Sequence, residues 1–286
     1  MSAARSYDTP PAHAAALRQR LKNVHGADDQ AAQRLVRTLA NVAVAQMLPA
    51  GAVKGGTAMN LRRGPDASRF STDLDVTRHR DTSEDAFIQA LNESLRVGWG
   101  GFSGAATRRP KAKPRAVPTA YVMLPVAVSL QYRGRSLASV KLEIAIDEVG
   151  SLDAAVEAVA PEIVELFTSV GLPAPNPVSV VSAEHQIVQK LHACTTPDSD
   201  GRYERAHDLV DVQLLCLDED LDLELLDTLG QRLFSFRQGP DWPPTVVAHE
   251  GWDTLYATAA EGLGVRPLAD AIVWVNDLIA RAVDLR

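Results

Sequence analysis

Apolar residues recur at helical spacing over residues 11–24 and 28–47. In the second stretch Leu35, Leu39, Val42, Val44 and Leu48 form one stripe, and Asp28 or Asp29 suits its N-terminal end. "GAVKGG" then predicts a short strand feeding a turn, and Thr57 to Arg63 a helix stopped at Gly64-Pro65. "FSTDLDVTR" alternates with the period of a strand, residues 83–97 predict a helix, and a basic loop containing Gly and Pro follows at 98–118. "YVMLPVAVSLQY" and "SLASVKLEIAID" are strand-like runs divided by "RGR", which suggests a hairpin. In the second run Val140, Leu142, Ile144 and Ile146 face one way, and Lys141, Glu143, Ala145 and Asp147 the other. A helix is expected at about 151–170, with "GLPAPNPVSVV" as a stiff connector or short edge strand. Beyond it the pattern is helical at 182–195, 203–217, 220–236, 251–262 and 266–284. The fold class is therefore α/β, in the α+β sense: a mixed sheet core with helices over residues 1–172, then a mainly helical domain over 173–286.

A chain of 286 residues with 46% hydrophobic and 23% charged residues can bury a large core and is not a disordered chain. The start has no apolar segment of signal-peptide length, and "LANVAVAQMLPAGAV" is too short and too polar to span a bilayer. Cys194 and Cys216 lack metal-type spacing, and a cytoplasmic protein with no membrane association is expected. The net charge of −7 argues against a protein that coats nucleic acid with its whole surface. The charge is uneven, however. Between Glu93 and Glu143 there are nine Lys or Arg and no carboxylate, whereas 217–227 is densely acidic. Arg108, Arg109, Lys111, Lys113 and Arg115 in the first segment are candidates for holding an RNA backbone.

The chemistry-bearing stretch is "KGGTAMNLRRGPDASRFSTDLDV", residues 54–76. Residues two apart on a strand share a face, so Asp73 and Asp75 present neighbouring carboxylates, with Ser71 on the same edge. Mg²⁺ takes one or two carboxylates and completes its shell with water and substrate phosphate. Gly55 and Gly56 let backbone approach a ligand, and Thr57 is placed to cap a helix whose first amides favour an anion. Together these features suit a nucleoside triphosphate held between amides and metal. Glu143 and Asp147 are both candidates for a third metal carboxylate. Downstream, Lys190 leaves an apolar helix face, and Arg205, Asp208 and Asp211 share one side of the next helix.

"KGGTAMNLRRG…RFSTDLDV" with "SAEHQIVQKLHA…ERAHDLVDVQLL" resembles the AbiEii-type nucleotidyltransferase toxins, including their mycobacterial MenT relatives, within the polymerase-β-like superfamily. The resemblance spans about residues 50–76 and 178–217. It implies an NTP as substrate, Mg²⁺ as cofactor, a cognate antitoxin as partner and, as in some members, the 3′ end of tRNA as acceptor. Nucleotide addition there would block aminoacylation and translation. On this resemblance Gly55, Gly56 and Thr57 match the phosphate-side turn, and Ser71, Asp73 and Asp75 the metal strand. Lys190, Asp208 and Asp211 match the downstream motif, with Lys190 and Asp211 expected to be catalytic and Lys190 and Asp208 to bind nucleotide. The chain departs from the pattern at "PDAS", ahead of Arg69, and at His207, where an arginine is common. Ser71 is also a candidate regulatory site, since a phosphate beside two carboxylates would repel a triphosphate. The alternatives are a protein side chain or small hydroxylated molecule as acceptor, or a degenerate fold that only binds nucleotide.

Overall fold

The computed structural model describes residues 6–111, 122–198, 200–218, 220–237 and 240–285. The chain forms two compact units. Among the described residues the first comprises 6–111, 122–147 and 155–180, and the second 148–154 and those from 181 to 285.

The first unit begins with helices α1 (Ala14–His25) and α2 (Asp29–Ala45). The Asp28 side chain accepts the Ala31 amide and so starts α2. Strand β1 (Ala52–Lys54) runs directly into α3 (Gly55–Arg63), and β2 (Asp73–Arg78) and α4 (Glu84–Val97) follow. Next come β3 (Phe102–Arg108), β4 (Leu124–Tyr132), β5 (Arg135–Ile146), β6 (Val156–Ala158), α5 (Pro161–Thr168) and β7 (Val178–Val180). The seven strands make one mixed sheet in the order β3-β4-β5-β2-β1-β7-β6. Strands β2 and β5 are parallel, with Asp73 opposite Lys141 and Asp75 opposite Glu143, while β1 is antiparallel to β2 with Lys54 opposite Asp75. The apolar face of β2 and β5 (Leu74, Val76, Val140, Leu142) joins Leu39, Val42 and Ala43 of α2 in one core. Strands β4 and β5 are joined by Arg133-Gly134, both at positive φ (47° and 72°), the mirror-image turn that matches strand twist.

Four elements differ from the sequence reading. Helix α3 starts at Gly55, so Thr57 lies inside it and does not cap it; Lys54 is the cap residue and provides no side-chain bond. The basic loop contains strand β3, an edge strand rich in Gly, Ala and Ser that lacks a strong apolar alternation. Two of its outward-facing residues are engaged: Phe102 pairs with Trp99, and the Asn92 side chain both accepts the Ala106 N–H and donates to the Ala106 carbonyl. Residues 151–160 are turns and strand β6 rather than helix, because Pro161 starts α5 and holds Ala160 extended. Strand β7 is interior, between β1 and β6, and not an edge. Lys113 and Arg115 lie outside the described residues.

The second unit holds α6 (Ala183–Thr195), α7 (His207–Asp218), α8 (Leu223–Arg237), α9 (Trp252–Ala260) and α10 (Leu268–Val283). Its core includes Val188, Leu191, Leu209, Val210, Leu233, Trp252 and Val275. Glu148 is bound through both carboxylate oxygens to Arg237 of α8. Among the described residues no helix is long and apolar enough to cross a membrane.

Candidate active site

The β2–β5 register sets the geometry of the first unit's polar face. Asp73 and Asp75 alternate with buried Leu74 and Val76, and Glu143 is the lateral neighbour of Asp75. On the other side of Asp75 is Lys54, at the end of β1. Lys141 flanks Asp73, with Nζ 3.8 Å from Oδ1. Of the two candidates for a third carboxylate, Glu143 stands in register with Asp75, whereas Asp147 lies beyond the end of β5. Burial, followed by the negative charges of Asp75 and Asp73, raises the Glu143 pKa above the ordinary 4.5; Lys54 and Lys141 partly offset this. The three carboxylates therefore share one electrostatic field.

The helix start meets this strand at close range. A Cβ on Gly55 would stand 2.3 Å from Asp75 Oδ2, and Gly55 is at φ +64°, so the position suits glycine on two counts. A Cβ on Gly56 would lie 2.7 Å from Ser71 Cβ and Oγ and 3.6 Å from Arg69 Nη1. The hydroxyls of Thr57 and Ser71 both donate to the Asp73 carbonyl, at 2.8 and 3.1 Å. Thr57 is buried, and Asn41 of α2 donates to its hydroxyl at 3.3 Å. The two hydroxyls fix the carboxylate-bearing residue against the head of α3. What Thr57 can offer an anion is therefore its backbone N–H, one of the first-turn amides that a helix leaves without intrahelical partners.

The donor set fits a hard divalent cation. Among the described residues Asp73 Oδ1 is buried and makes no hydrogen bond, and Lys141 is too far away to supply one. Among the described residues no three His, Cys, Asp or Glu side chains close on a single point as a cage. Magnesium does not need one, because it keeps waters and substrate oxygens in its shell. Lys54, Arg69 and Lys141 stand near these groups, and the sequence assigned none of them to the metal or nucleotide site. Their signal was in the pattern for Lys141, which shares the polar face of its strand with Glu143.

In the second unit Lys190 is 6% exposed, and Asp208 and Asp211 are fully buried. Lys190 Nζ donates to Asp208 Oδ1 at 3.0 Å and to Asp211 Oδ2 at 2.6 Å, tying α6 to α7. Arg205 Nε donates to the other Asp208 oxygen at 2.7 Å. In the basic segment Arg108 is paired with Asp85 and Lys111 with Glu84, both in the first turn of α4. Arg109 is exposed, with its amide bonded to the Pro125 carbonyl.

Comparison with solved structures gives a likeness to the MenT4 nucleotidyltransferase toxin of Mycobacterium tuberculosis H37Rv, with TM-score 0.51 and 14% identity, covering 93% of this chain and 98% of that one. JHP933 from Helicobacter pylori matches with TM-score 0.43 and 15% identity, covering 89% of this chain and 92% of that one. No curated protein sequence matches. The family described as the nucleotidyl transferase AbiEii toxin of type IV toxin–antitoxin systems matches residues 33–273. Since that match spans most of the chain, the protein belongs to the AbiEii nucleotidyltransferase toxin family.

Proposed function

We propose that the protein transfers a nucleotide from an NTP to the 3′ acceptor end of tRNA, in a Mg²⁺-dependent reaction that releases pyrophosphate and blocks aminoacylation and translation. The observation that carries the reading is the register that sets Asp73, Asp75 and Glu143 on neighbouring strands, with Asp75 against the N-terminal end of α3. Asp73 and Asp75 would hold the cation, with Glu143 as the third carboxylate. When bound, a divalent cation supplies the charge that activates an attacking hydroxyl and neutralises a leaving pyrophosphate.

The chain's own contribution is positioning and charge. The amides of Gly55, Gly56 and Thr57 donate to triphosphate oxygens, and the missing Cβ atoms let Asp75 and Ser71 lie close against that backbone. Lys54, Arg69 and Lys141 offset negative charge around them. The acceptor hydroxyl attacks the α-phosphorus in line; a phosphodiester bond forms, and the bond to the pyrophosphate oxygen breaks. Holding the two reactants in that alignment supplies much of the rate. In the helical unit Lys190 and Asp211 keep the expected catalytic role and Lys190 and Asp208 the nucleotide contact, and their ion pairs also tie α6 to α7. A cognate antitoxin opposes the activity, and Ser71 is its candidate point of control.

The test uses purified protein, Mg²⁺, total tRNA and each of the four NTPs labelled in turn, with Asp73→Asn as control. The reading requires label in tRNA that depends on Asp73 and disappears with EDTA. Label in protein or in a small hydroxylated molecule, with none in tRNA, would refute the tRNA assignment. No transfer to any acceptor would refute the enzyme itself.

A further inference from the structure

Pairing between β2 and β5 begins at Asp73 and Lys141, whereas β5 itself begins at Arg135. Among the described residues the leading half of β5 therefore has no neighbouring strand on its β2 side, and its backbone carbonyls there need other donors. Two helices supply them: Arg18 of α1 donates to the Leu137 carbonyl, and Arg37 of α2 to the Ser139 carbonyl. Between these helices and the strand lies a cleft of about 760 Å³. Ala32, Val36 and Leu137 contribute apolar lining, and Arg18, Lys22 and Arg37 bring three positive charges. Among the described residues Asp29 is the one carboxylate in the lining, and Lys22 engages it at 2.6 Å. In a chain of net charge −7 this is a locally cationic hollow.

Its location matters as much as its charge. Ser139 lines the cleft, Lys141 stands 3.8 Å from Asp73, and Glu143 is in register with Asp75. At about 3.3 Å per residue, Ser139 is about 7 Å along the strand from Lys141 and about 13 Å from Glu143. Phe70, just before Ser71, is 39% exposed, and the Arg34 guanidinium lies 5.6 Å from its ring.

We propose that this cleft binds the single-stranded 3′ segment of the RNA acceptor and leads it along β5 to Asp73. The inference rests on the nucleotidyltransferase reading and adds to it the path of the acceptor. Phosphodiester oxygens would meet Arg18, Lys22 and Arg37. The two guanidinium groups are already anchored on carbonyls, so little side-chain freedom is lost when phosphate binds. The apolar lining takes a ribose or base face, and Phe70 offers a ring for stacking. An acidic peptide would satisfy the charges too, but continuity with the carboxylate strand favours RNA. Helix α1 precedes residue 33, where the family match begins, so one wall of the cleft lies outside the matched segment.

The experiment uses the full-length protein and a 5′-fluorescein RNA hairpin with an unpaired 3′ end, followed by anisotropy across a salt series. Arg18→Gln, Arg37→Gln and Lys22→Gln each lower the slope of log K against log salt by about 0.7, which is about fivefold in affinity near 0.1 M salt. Arg37→Lys restores the slope, which separates charge from local structure, and Lys22→Gln tests a half-exposed side chain that bonds no strand carbonyl. Arg281→Gln, a charge-matched change on α10, moves neither quantity. If all three glutamine variants keep wild-type affinity and slope while the wild type still labels tRNA, the cleft assignment fails and nucleotidyl transfer stands. If the variants bind RNA normally but escape the antitoxin, the cleft is a protein dock and the proposal is overturned. If the wild type neither binds the hairpin nor labels tRNA, the underlying reading falls as well.

Discussion

Replacing Lys190 by methionine removes the ammonium that joins two fully buried carboxylates while preserving most of the side-chain volume. The two ion pairs it breaks are 3.0 and 2.6 Å long and lie in a region that excludes water, so screening does little to soften the change. Removing one partner of a buried ion pair costs about 3–5 kcal/mol, because charge remains in a low-dielectric setting. At roughly 2–4 °C per kcal/mol for a body of this size, melting should fall by about 6–20 °C. Differential scanning calorimetry, with circular dichroism following the helices, reads the shift. Lys190→Arg keeps the charge and should recover part of the loss, limited by the extra bulk of a guanidinium at a site only 6% exposed. The double variant Lys190→Met/Asp211→Leu should melt above the single variant, since it also removes one of the stranded carboxylates. A single variant that melts within about 2 °C of wild type would show that the network does not hold the α6–α7 pair.

Gly55→Ala forces a Cβ to within 2.3 Å of Asp75 Oδ2 at φ +64°; nucleotidyl transfer should drop at least tenfold, at a stability cost of about 1–2 kcal/mol, measured by label incorporation and urea titration. Asp75→Asn should reduce transfer by about 10²-fold or more, with the apo melting temperature little changed, and excess Mg²⁺ should not restore the wild-type rate. Burial, then Arg237, lowers the His192 pKa from 6.5 to about 4, against the opposing pull of Glu148. The unfolded imidazole takes up its proton below about pH 6.5 and the folded one resists until about pH 4, so this contribution is intact above 6.5 and is lost as pH falls toward 4. A difference of that size corresponds to about 3 kcal/mol. His192→Phe should flatten stability across the window in urea titrations at several pH values; unchanged pH dependence would refute the assignment.

The polar face of the site was legible because a half-buried strand alternates. Asp73, Asp75 and Glu143 sit among Leu74, Val76, Leu142 and Ile144, and period two is hard to mistake over that length. The Arg133-Gly134 turn was equally visible between two such runs. Strand β3 was hidden because an edge strand of Ala, Gly and Ser has little apolar signal and depends on β4 for its form. The start of α3 was placed too late because Gly55 is a poor helix former, and here close packing against Asp75 decides the matter. The burial of Lys190, Asp208 and Asp211 could not be inferred from charged residues on helices, which ordinarily face water. The cationic cleft draws Arg18 and Leu137 together across more than a hundred residues, a proximity that no local pattern encodes.

Asn92 also constrains how a second chain could attach to this sheet border. An intruding strand laid along β3 would need the outward groups of Phe102 and Ala106, but Trp99 and the Asn92 amide already occupy them. Extending the sheet at that border would require breaking internal bonds first. Asn92→Ala should leave the Ala106 groups free and make the border more prone to sticking between copies of the chain.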